Sequence, residues 1–312
     1  MSPGAHKRAA CVTRELLFSA VQMLSRPHIL LGLVLFAFLA PHDAEVRAQE
    51  RLPVAASILP LADFTRQVGG ERIRLETLIP PGASPHTYEP TPAQLKFLSR
   101  ARVLVLNGVG LEFWADKVIA AVDNPNLVVV RTADGLKILA GEPGEPGGNP
   151  HLWLSPREVI HQVEMIRDAL VRADPPGSDA YRANAARYVA ALRAFDAEIR
   201  ATVATFSQRK FIAFHAAWAY FARDYGLEQA AVIESTPGRE PSPAEVAKII
   251  RTARAIKAKA IFAEPQFPAS AARAIAEESG AAVLLLDPLG KPPGSYLDLM
   301  RANLAQISKA LR

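Results

Sequence analysis

The stretch SDAYRANAARYVAALRAFDAEIRATVATFSQ, residues 178–208, runs without a proline or a glycine. Large apolar side chains recur along it at spacings of 7, 4, 3, 4, 4 and 3, on one helical face; they are Tyr181, Tyr188, Leu192, Phe195, Ile199, Val203 and Phe206. Roughly 30 residues at ~1.5 Å each predict a rod of about 45 Å. We interpret it as a rigid helix that joins two lobes. A coiled-coil arm is the alternative, but the sequence lacks the heptad charge pairs typical of one.

Short apolar segments alternate with amphipathic ones on both sides of this helix. The apolar segments are short and often β-branched, as buried parallel strands are. We predict strands at 54–58, 72–79, 102–106, 127–130, 210–214, 230–233, 260–263 and 281–286, and further helices at about 61–68, 216–225, 244–256 and 269–279. This pattern predicts an α/β fold with an N-terminal lobe (49–177), a linker helix (178–208) and a C-terminal lobe (209–312).

Three helix starts share one signature. Thr91, Ser155 and Ser242 are each followed by a proline and then by Glu or Gln at the third helical position. This combination predicts a side-chain cap at each helix start. Two of these helices follow directly on loops that contain a histidine, so those loops are expected to be fixed at one end.

Residues 1–48 are predicted to be a secretory signal peptide. Basic residues precede an uninterrupted apolar run over 29–40, and Val46-Arg47-Ala48 offers a cleavage site. A transmembrane anchor is the alternative, but a span needs ~20 apolar residues. The only cysteine, Cys11, would leave with the leader, so neither a disulfide nor a lipid-bearing cysteine is expected in the mature chain. We therefore expect a soluble protein in the periplasm.

The charge balance is mildly basic. The net charge is +5, and the leader carries five basic and three acidic residues, which leaves 31 against 28, or +3, on the mature chain. No stripe of Lys and Arg with interleaved aromatic residues is present. The sequence therefore predicts no nucleic-acid partner.

Three histidines in the mature chain lie in loop-like or strand-end positions, namely His86, His151 and His215. The fourth, His161, falls on a predicted helix surface. A lone histidine is more often structural, but imidazoles from distant parts of a chain can together hold a divalent metal without any cysteine. The similar placement of all three histidines, more than any one of them alone, therefore predicts a metal site.

Three polar residues directly follow the last apolar residue of a predicted strand: His215, Glu264 and Asp287. In open α/β sheets, ligands bind outside the carboxyl ends of the strands. The alternative for Glu264 and Asp287 is a turn cap, because each precedes a proline. The segment Asn107-Gly108-Val109-Gly110 also follows a strand, but Phe113 stands at the third glycine position of a dinucleotide fingerprint.

Six ordered segments resemble the zinc/manganese-uptake solute-binding proteins of bacterial ABC transporters, and the resemblance covers the chain from about Leu52 to the C-terminus. They are PPGASPHTYEP (80–90), NGVGLE (107–112), PHLWL (150–154), REPS (239–242), FAEPQF (262–267) and LDPLG (286–290). The resemblance implies a metal held in a cleft between two α/β lobes joined by one long helix. It implies the ligands His86, His151, His215 and a carboxylate, Asp287.

The resemblance also bears on the metal. A histidine at the third ligand position accompanies zinc proteins of this family, whereas a glutamate there is typical of manganese proteins. Three imidazoles likewise suit Zn²⁺ better than Mn²⁺. Two features depart from the family pattern: the loop at 141–148 lacks the histidines many zinc members carry there, and Ser155 stands where Asp often follows Trp-Leu.

We therefore expect a monomeric, non-enzymatic binding protein that captures Zn²⁺, or alternatively Mn²⁺, and delivers it to the membrane permease of an ABC transporter. Two other classes are open. A secreted zinc-dependent hydrolase would use three ligands plus water, with Glu264 or Glu89 as base. A binding protein for an organic ligand or a metal chelate would have its histidines in a roomier cleft.

Overall fold

The computed structural model describes residues 50–312 apart from residues 144, 146 and 237. The predicted signal peptide lies outside the described residues. Within them, no helix combines the length and the apolar character needed to cross a bilayer.

The first lobe is built on a parallel four-stranded sheet. Its strands are β1 (Leu52–Ala56), β2 (Ile73–Thr77), β3 (Val103–Leu106) and β4 (Val128–Arg131), in the spatial order β2-β1-β3-β4. The helices are α1 (Leu59–Gly69), α2 (Pro92–Leu98), α3 (Ala115–Val122) and α4 (Pro156–Ala173). The central strand β3 is buried along its whole length, as its run of Val and Leu predicts.

The linker helix α5 covers Ser178–Ala204, 27 residues. Six of the seven predicted apolar residues on its face are buried within the helix, and the seventh, Phe206, is buried just beyond its end. It packs against α1 and α4. The predicted end at 208 was four residues too late, because the backbone leaves the helix at Thr205 without a Gly or Pro to mark the end.

The second lobe repeats the topology of the first. Strands β5 (Lys210–Ala213), β6 (Glu228–Val232), β7 (Ala260–Ala263) and β8 (Ala282–Leu285) form a parallel sheet in the order β6-β5-β7-β8. Its helices are α6 (Ala219–Tyr225), α7 (Pro243–Ala255), α8 (Ser270–Ser279) and α9 (Tyr296–Leu311). The predicted fold of two parallel-sheet lobes and a long connecting helix is confirmed.

Two of the three predicted helix caps form as expected. Thr91 and Ser242 each make a capping box with the residue at the third helical position. The predicted side-chain cap at Ser155 was wrong. Ser155 is the N-cap residue of α4, but its hydroxyl makes no bond to the helix and donates instead to the Asp224 carboxylate on α6 of the other lobe. The hydroxyl thus links the lobes instead of capping the helix.

Further side-chain bonds join the two lobes beneath the cleft. The Trp153 indole donates to the Pro288 carbonyl at 2.7 Å, and the Tyr296 hydroxyl donates to the Trp153 carbonyl at 2.8 Å. The Asn149 amide donates to the Ala216 carbonyl at 2.8 Å. One buried apolar cluster also includes residues of both lobes and of the linker helix. This shared core opposes a wide hinge motion.

Candidate metal centre

The carboxyl ends of β5 and β7 place His215 beside Glu264. These strands are parallel neighbours, with Ile212 opposite Ile261, and each polar residue lies three positions further along. His215 and Glu264 are both buried, and the ring Nδ1 lies 2.7 Å from Glu264 Oε1. In the neutral ring Nδ1 must carry the proton, because a carboxylate accepts. The lone pair of His215 then lies on Nε2.

His151 is oriented in the same way as His215, with its ring Nδ1 facing an acceptor, but the acceptor is Asn149. Asn149 Oδ1 accepts from the His151 backbone N–H and lies 3.0 Å from the ring Nδ1. The backbone N–H can only donate, so the amide atom is the oxygen and the ring Nδ1 carries a proton. The lone pair of neutral His151 is therefore on Nε2, which is 3.0 Å from His215 Nε2.

His86 brings the third ring from the loop between β2 and α2. It is partly buried, and its Nε2 lies 3.3 Å from His151 Nε2. The three histidines each offer a ring nitrogen within 4.8 Å of the others. Three Zn–N bonds of ~2.05 Å at tetrahedral angles place the nitrogens ~3.3 Å apart. The two shorter separations are therefore close to those of a zinc site.

The facing lone pairs need a positive charge between them. Two neutral rings with bare Nε2 atoms at 3.0 Å repel each other, so either a proton or a metal ion must lie there. Burial, and then the neighbouring His215, lower the pKa of His86 to about 3 and that of His151 well below its usual value. Burial alone would also lower the pKa of His215, but the neighbouring carboxylates, Glu264 foremost and then Glu145 and Glu234, together outweigh it and the pKa is raised. A proton shared by the two Nε2 atoms would therefore reside on His215 more readily than on His151.

The space enclosed by the rings is small. It amounts to ≈ 10 Å³, about enough for one water molecule or ion. Sites for organic ligands usually enclose about 300–1,000 Å³. The arrangement therefore suits a single cation and leaves no room for an organic molecule.

Asp287 lies outside the group of histidines. Its Oδ1 accepts from the backbone N–H groups of Leu289 and Gly290 and from Gln266 Nε2, at 2.9–3.0 Å. Sheet register gives the reason: Ala263 pairs with Leu285, so Glu264 is level with Leu286 and Asp287 comes one residue later. Side chains alternate along a strand, which turns Asp287 away from the face that carries Glu264.

Sequence reasoning missed the residues that orient the rings. The sequence places Glu264 at a strand end where ligands bind and also allows it to be a base or a turn cap, but it does not indicate that Glu264 orients His215; for Asn149 it predicts no role. The register of β5 and β7 could have indicated Glu264, because the order of a repeated parallel sheet makes these strand ends neighbours. Asn149 gives a weaker signal, an Asx residue two positions before a histidine.

The motif at 107–112 supports His151 and shows no dinucleotide loop. The buried Glu112 carboxylate accepts from the backbone N–H groups of Asn107 and Gly108 and from the Ser57 hydroxyl. The Asn107 amide in turn donates to the Pro150 carbonyl at 2.8 Å. The loop before His151 is thereby tied to the end of β3.

The family model described as "Zinc-uptake complex component A periplasmic" matches residues 54–310. The chain belongs to this family. The predicted resemblance to the metal-uptake binding proteins is thereby confirmed.

Relatives include proteins with either metal. A deletion mutant of ZnuA with zinc bound has a TM-score of 0.77 and 38% identity, covering 84% of this chain and 98% of that one. FpvC from Pseudomonas aeruginosa in complex with Mn²⁺ has a TM-score of 0.75 and 32% identity, covering 84% and 99%. The zinc-binding lipoprotein AdcA of Streptococcus pneumoniae is 28% identical over 300 residues, 90% of this chain and 60% of AdcA. The chain thus spans about three fifths of that relative's length.

Proposed function

We propose that this protein captures Zn²⁺ in the periplasm and delivers it to the membrane permease of an ABC transporter. The observation that carries the proposal is that three imidazole rings each bring one ring nitrogen to a common point. In His151 and His215 the other ring nitrogen, Nδ1, is held by a hydrogen-bond acceptor. His86, His151 and His215 are the proposed protein ligands. Zinc-bound and manganese-bound relatives support a divalent cargo.

Zinc is favoured over manganese by the donor set. Three neutral nitrogens are a borderline-soft environment, whereas Mn²⁺ is best served by carboxylate, carbonyl and water oxygens. The expected carboxylate ligand, Asp287, already accepts three hydrogen bonds at Oδ1, two from backbone N–H groups of its own turn and one from Gln266. We therefore propose three protein ligands, with Asp287 acting on the site indirectly.

We further propose a monomer with no nucleic-acid partner. The cargo is a single ion, and the cavity of ≈ 10 Å³ supports neither a chelate receptor nor a hydrolase, because both need room for an organic molecule.

Native mass spectrometry of the mature protein tests this proposal. The wild type should retain one zinc ion per chain after buffer exchange and lose it to a chelator. Replacement of His151 or His215 by Ala should abolish retention, and His86→Ala should weaken it. His161→Ala should leave retention unchanged, because the His161 ring on the surface of α4 is bonded to the Asp134 carbonyl. Zinc retained at full occupancy in the three ligand variants would refute the site.

A further inference from the structure

The outer edge of β8 lacks the charged residues that the other sheet edges carry. In the first lobe, β2 contains Arg74 and Glu76, and β4 ends in Arg131. In the second lobe, β6 begins with Glu228, whereas β8 reads Ala-Val-Leu-Leu and has no charge. Proteins commonly protect their sheet edges from pairing with another chain by placing charged side chains on them. The edge of β8 therefore has the composition of an edge that another chain covers.

Two exposed apolar side chains lie on one face of β8. Val283 is 36% exposed and Leu285 is 53% exposed. Among the residues that the structure describes, Phe113 in the first lobe is the one other large apolar side chain exposed to this degree. Side chains alternate along a strand, so Leu284 lies on the opposite face, where it packs against the core. Val283 and Leu285 thus form an apolar patch at the edge.

The backbone at this edge also has free hydrogen-bonding groups. In the described part of the chain, β8 pairs with β7 alone. Ala282 and Leu286 donate their N–H groups to carbonyls in and just before β7. Because backbone groups alternate in direction along a strand, the N–H and C=O groups of Val283 and Leu285 point away from the sheet. An extended chain placed alongside would meet two donors and two acceptors.

A groove between the two lobes continues from the end of β8. Its volume is ≈ 680 Å³, and Leu285 lines it. The beginning of α1 forms the first-lobe wall, and the segment that leads from β8 into α9 forms much of the second-lobe wall. Ligand pockets usually enclose about 300–1,000 Å³, so the groove has room for several side chains of a peptide. Its apolar wall residues include Leu59, Pro60, Pro265 and Leu299.

The groove wall also carries a cation without a partner. Lys291 is exposed, and its ammonium group makes no hydrogen bond or ion pair with any described residue. The other cation on the wall, Arg66, is paired with Asp63. The carboxylates of Asp63, Asp287 and Asp298 each accept hydrogen bonds from the chain itself. Charge complementarity therefore favours an occupant that brings an acidic group to Lys291.

The groove shares a wall with the metal cavity. Residues of the turn 286–290 line both spaces, and Leu289 lines the two at once. The Trp153 indole, whose ring lies beside that of His151, donates to the Pro288 carbonyl of this turn. An occupant of the groove therefore contacts the turn that closes the metal site. The family to which the chain belongs is a component of an uptake complex, so a partner that receives the ion is expected next to it.

We propose that the outer edge of β8 and the adjoining groove bind an extended segment of the permease. The segment adds a strand to β8, as peptides do at other exposed sheet edges. It packs apolar side chains against Leu285 and into the groove, and it brings a carboxylate to Lys291. This inference rests on the proposed function, because it takes the permease as the receiver of the ion.

Zinc uptake by cells tests this surface. The variants are expressed in cells of the source organism that lack the wild-type protein, and uptake of radioactive zinc is measured. Leu285→Lys places a charge on the edge and Lys291→Glu reverses the charge at the groove, so each should lower uptake at least about tenfold. Glu228→Gln is the matched control, because it changes the charge by the same one unit as Leu285→Lys at the opposite edge of the same sheet. It should keep wild-type uptake. Equal losses in all three variants, or no loss in the first two, would overturn the proposal.

The purified variants separate docking from metal binding. Leu285 and Lys291 are exposed and do not line the metal cavity, so zinc affinity should stay within about threefold of wild type and Tm within about 3 °C. A loss of affinity as large as the loss of uptake would overturn the proposal, because the defect would then lie in metal binding. If the wild type retains no zinc, the proposed function fails. Zinc retention together with intact uptake in Leu285→Lys contradicts the docking surface alone.

Crosslinking in intact cells identifies the occupant. A photoreactive benzophenone side chain at position 283 should form an adduct with the permease, which mass spectrometry of the adduct identifies. The same group at position 228, on the opposite edge of the sheet, should form none. An adduct with a second copy of this protein, or no adduct from position 283, would overturn the proposal.

Discussion

The two lobes hold their histidines in different ways. His215 sits at a strand end of the second lobe, 4% exposed, with its ring fixed by the buried Glu264. His86 sits on a first-lobe loop and is only partly buried, and within the described residues its ring has a hydrogen-bond-distance contact with His151 alone. His151 belongs to the first lobe but is locked by Asn149, which bonds to the second.

This difference suggests an order of events. His215 and His151 form a preorganised pair whose lone pairs already face each other, so an arriving ion meets two fixed ligands. The His86 loop has fewer restraints on its ring and can complete the shell afterwards. Ion capture then needs a local loop movement and no rotation of lobes that share a buried core.

The largest expected effect separates the fixed ligand from the loop ligand. Zinc sites are worth about 10–16 kcal/mol for four ligands, so one ligand contributes roughly 3 kcal/mol, about two powers of ten in affinity. The zinc affinity of His215→Ala should fall by at least this factor. The zinc affinity of His86→Ala should fall only about tenfold, because water can take the place of a ligand at a partly exposed position. Competition titration of both variants against a chelator measures the ranking.

Apo-protein stability should rank the two variants in the same order. Removing His215 leaves the Glu264 carboxylate buried without its partner, which should lower the free energy of unfolding by about 3 kcal/mol. His86→Ala should change it by less than about 1 kcal/mol. Urea denaturation of the metal-free proteins reports both values. Equal losses in affinity and in stability would show that the two lobes contribute alike.

The sequence was sufficient to predict the strands and most of the helices, but not the end of the helix that links the two lobes. The strands were predicted to within two residues at either end, because buried parallel strands are short apolar runs between turns. Helices α3 and α9 were missed, although Ser295 and Asp298 form the capping box that begins α9. That signal was present in the sequence. The C-terminal end of α5, by contrast, depends on tertiary contacts, since Gln208 already bonds to the Leu311 carbonyl.

For the site, the sequence indicated which histidines to consider but not how each is oriented. Loop and strand-end positions brought His86, His151 and His215 to attention, and the structure brings them together. The direction of Asp287 could not be judged in the same way, because one step of register decides which face a side chain takes. That register is set by pairing between β7 and β8, which a single sequence does not reveal.

A second, smaller effect is the dependence of zinc affinity on pH. Burial lowers the pKa of His86 to about 3 and that of His151 well below 6.5, whereas Glu264 raises the pKa of His215 above 6.5. Between about pH 4 and the raised pKa of His215, zinc therefore displaces one proton, from the fixed ligand. Affinity should fall about tenfold per pH unit as pH drops through this window, and the fall should begin above pH 6.5.

Isothermal titration at pH 6 in two buffers of different ionisation enthalpy counts these protons. One proton released per zinc is expected. Glu264→Gln removes the charge that raises the His215 pKa, so it should release less than one proton at the same pH. Release of two or three protons by the wild type would mean that the His86 and His151 rings titrate normally and are not preorganised.

The smallest expected effect on affinity concerns the loop at 141–148, which lies just before Asn149 and His151. Its Glu145 is close enough to His215 for the two charges to affect each other's pKa. If the fixed pair provides most of the binding energy, shortening this loop while keeping Asn149 should change zinc affinity by less than about threefold, because none of its described residues lines the cavity between the histidines. The rate of metal release should change more, as it does when a loop next to a site governs ligand exchange. Stopped-flow transfer to a chelator measures the rate, and competition titration measures the affinity. A parallel change in both would assign the loop to binding, and the first-lobe histidines would then depend on this loop as well as on Asn149.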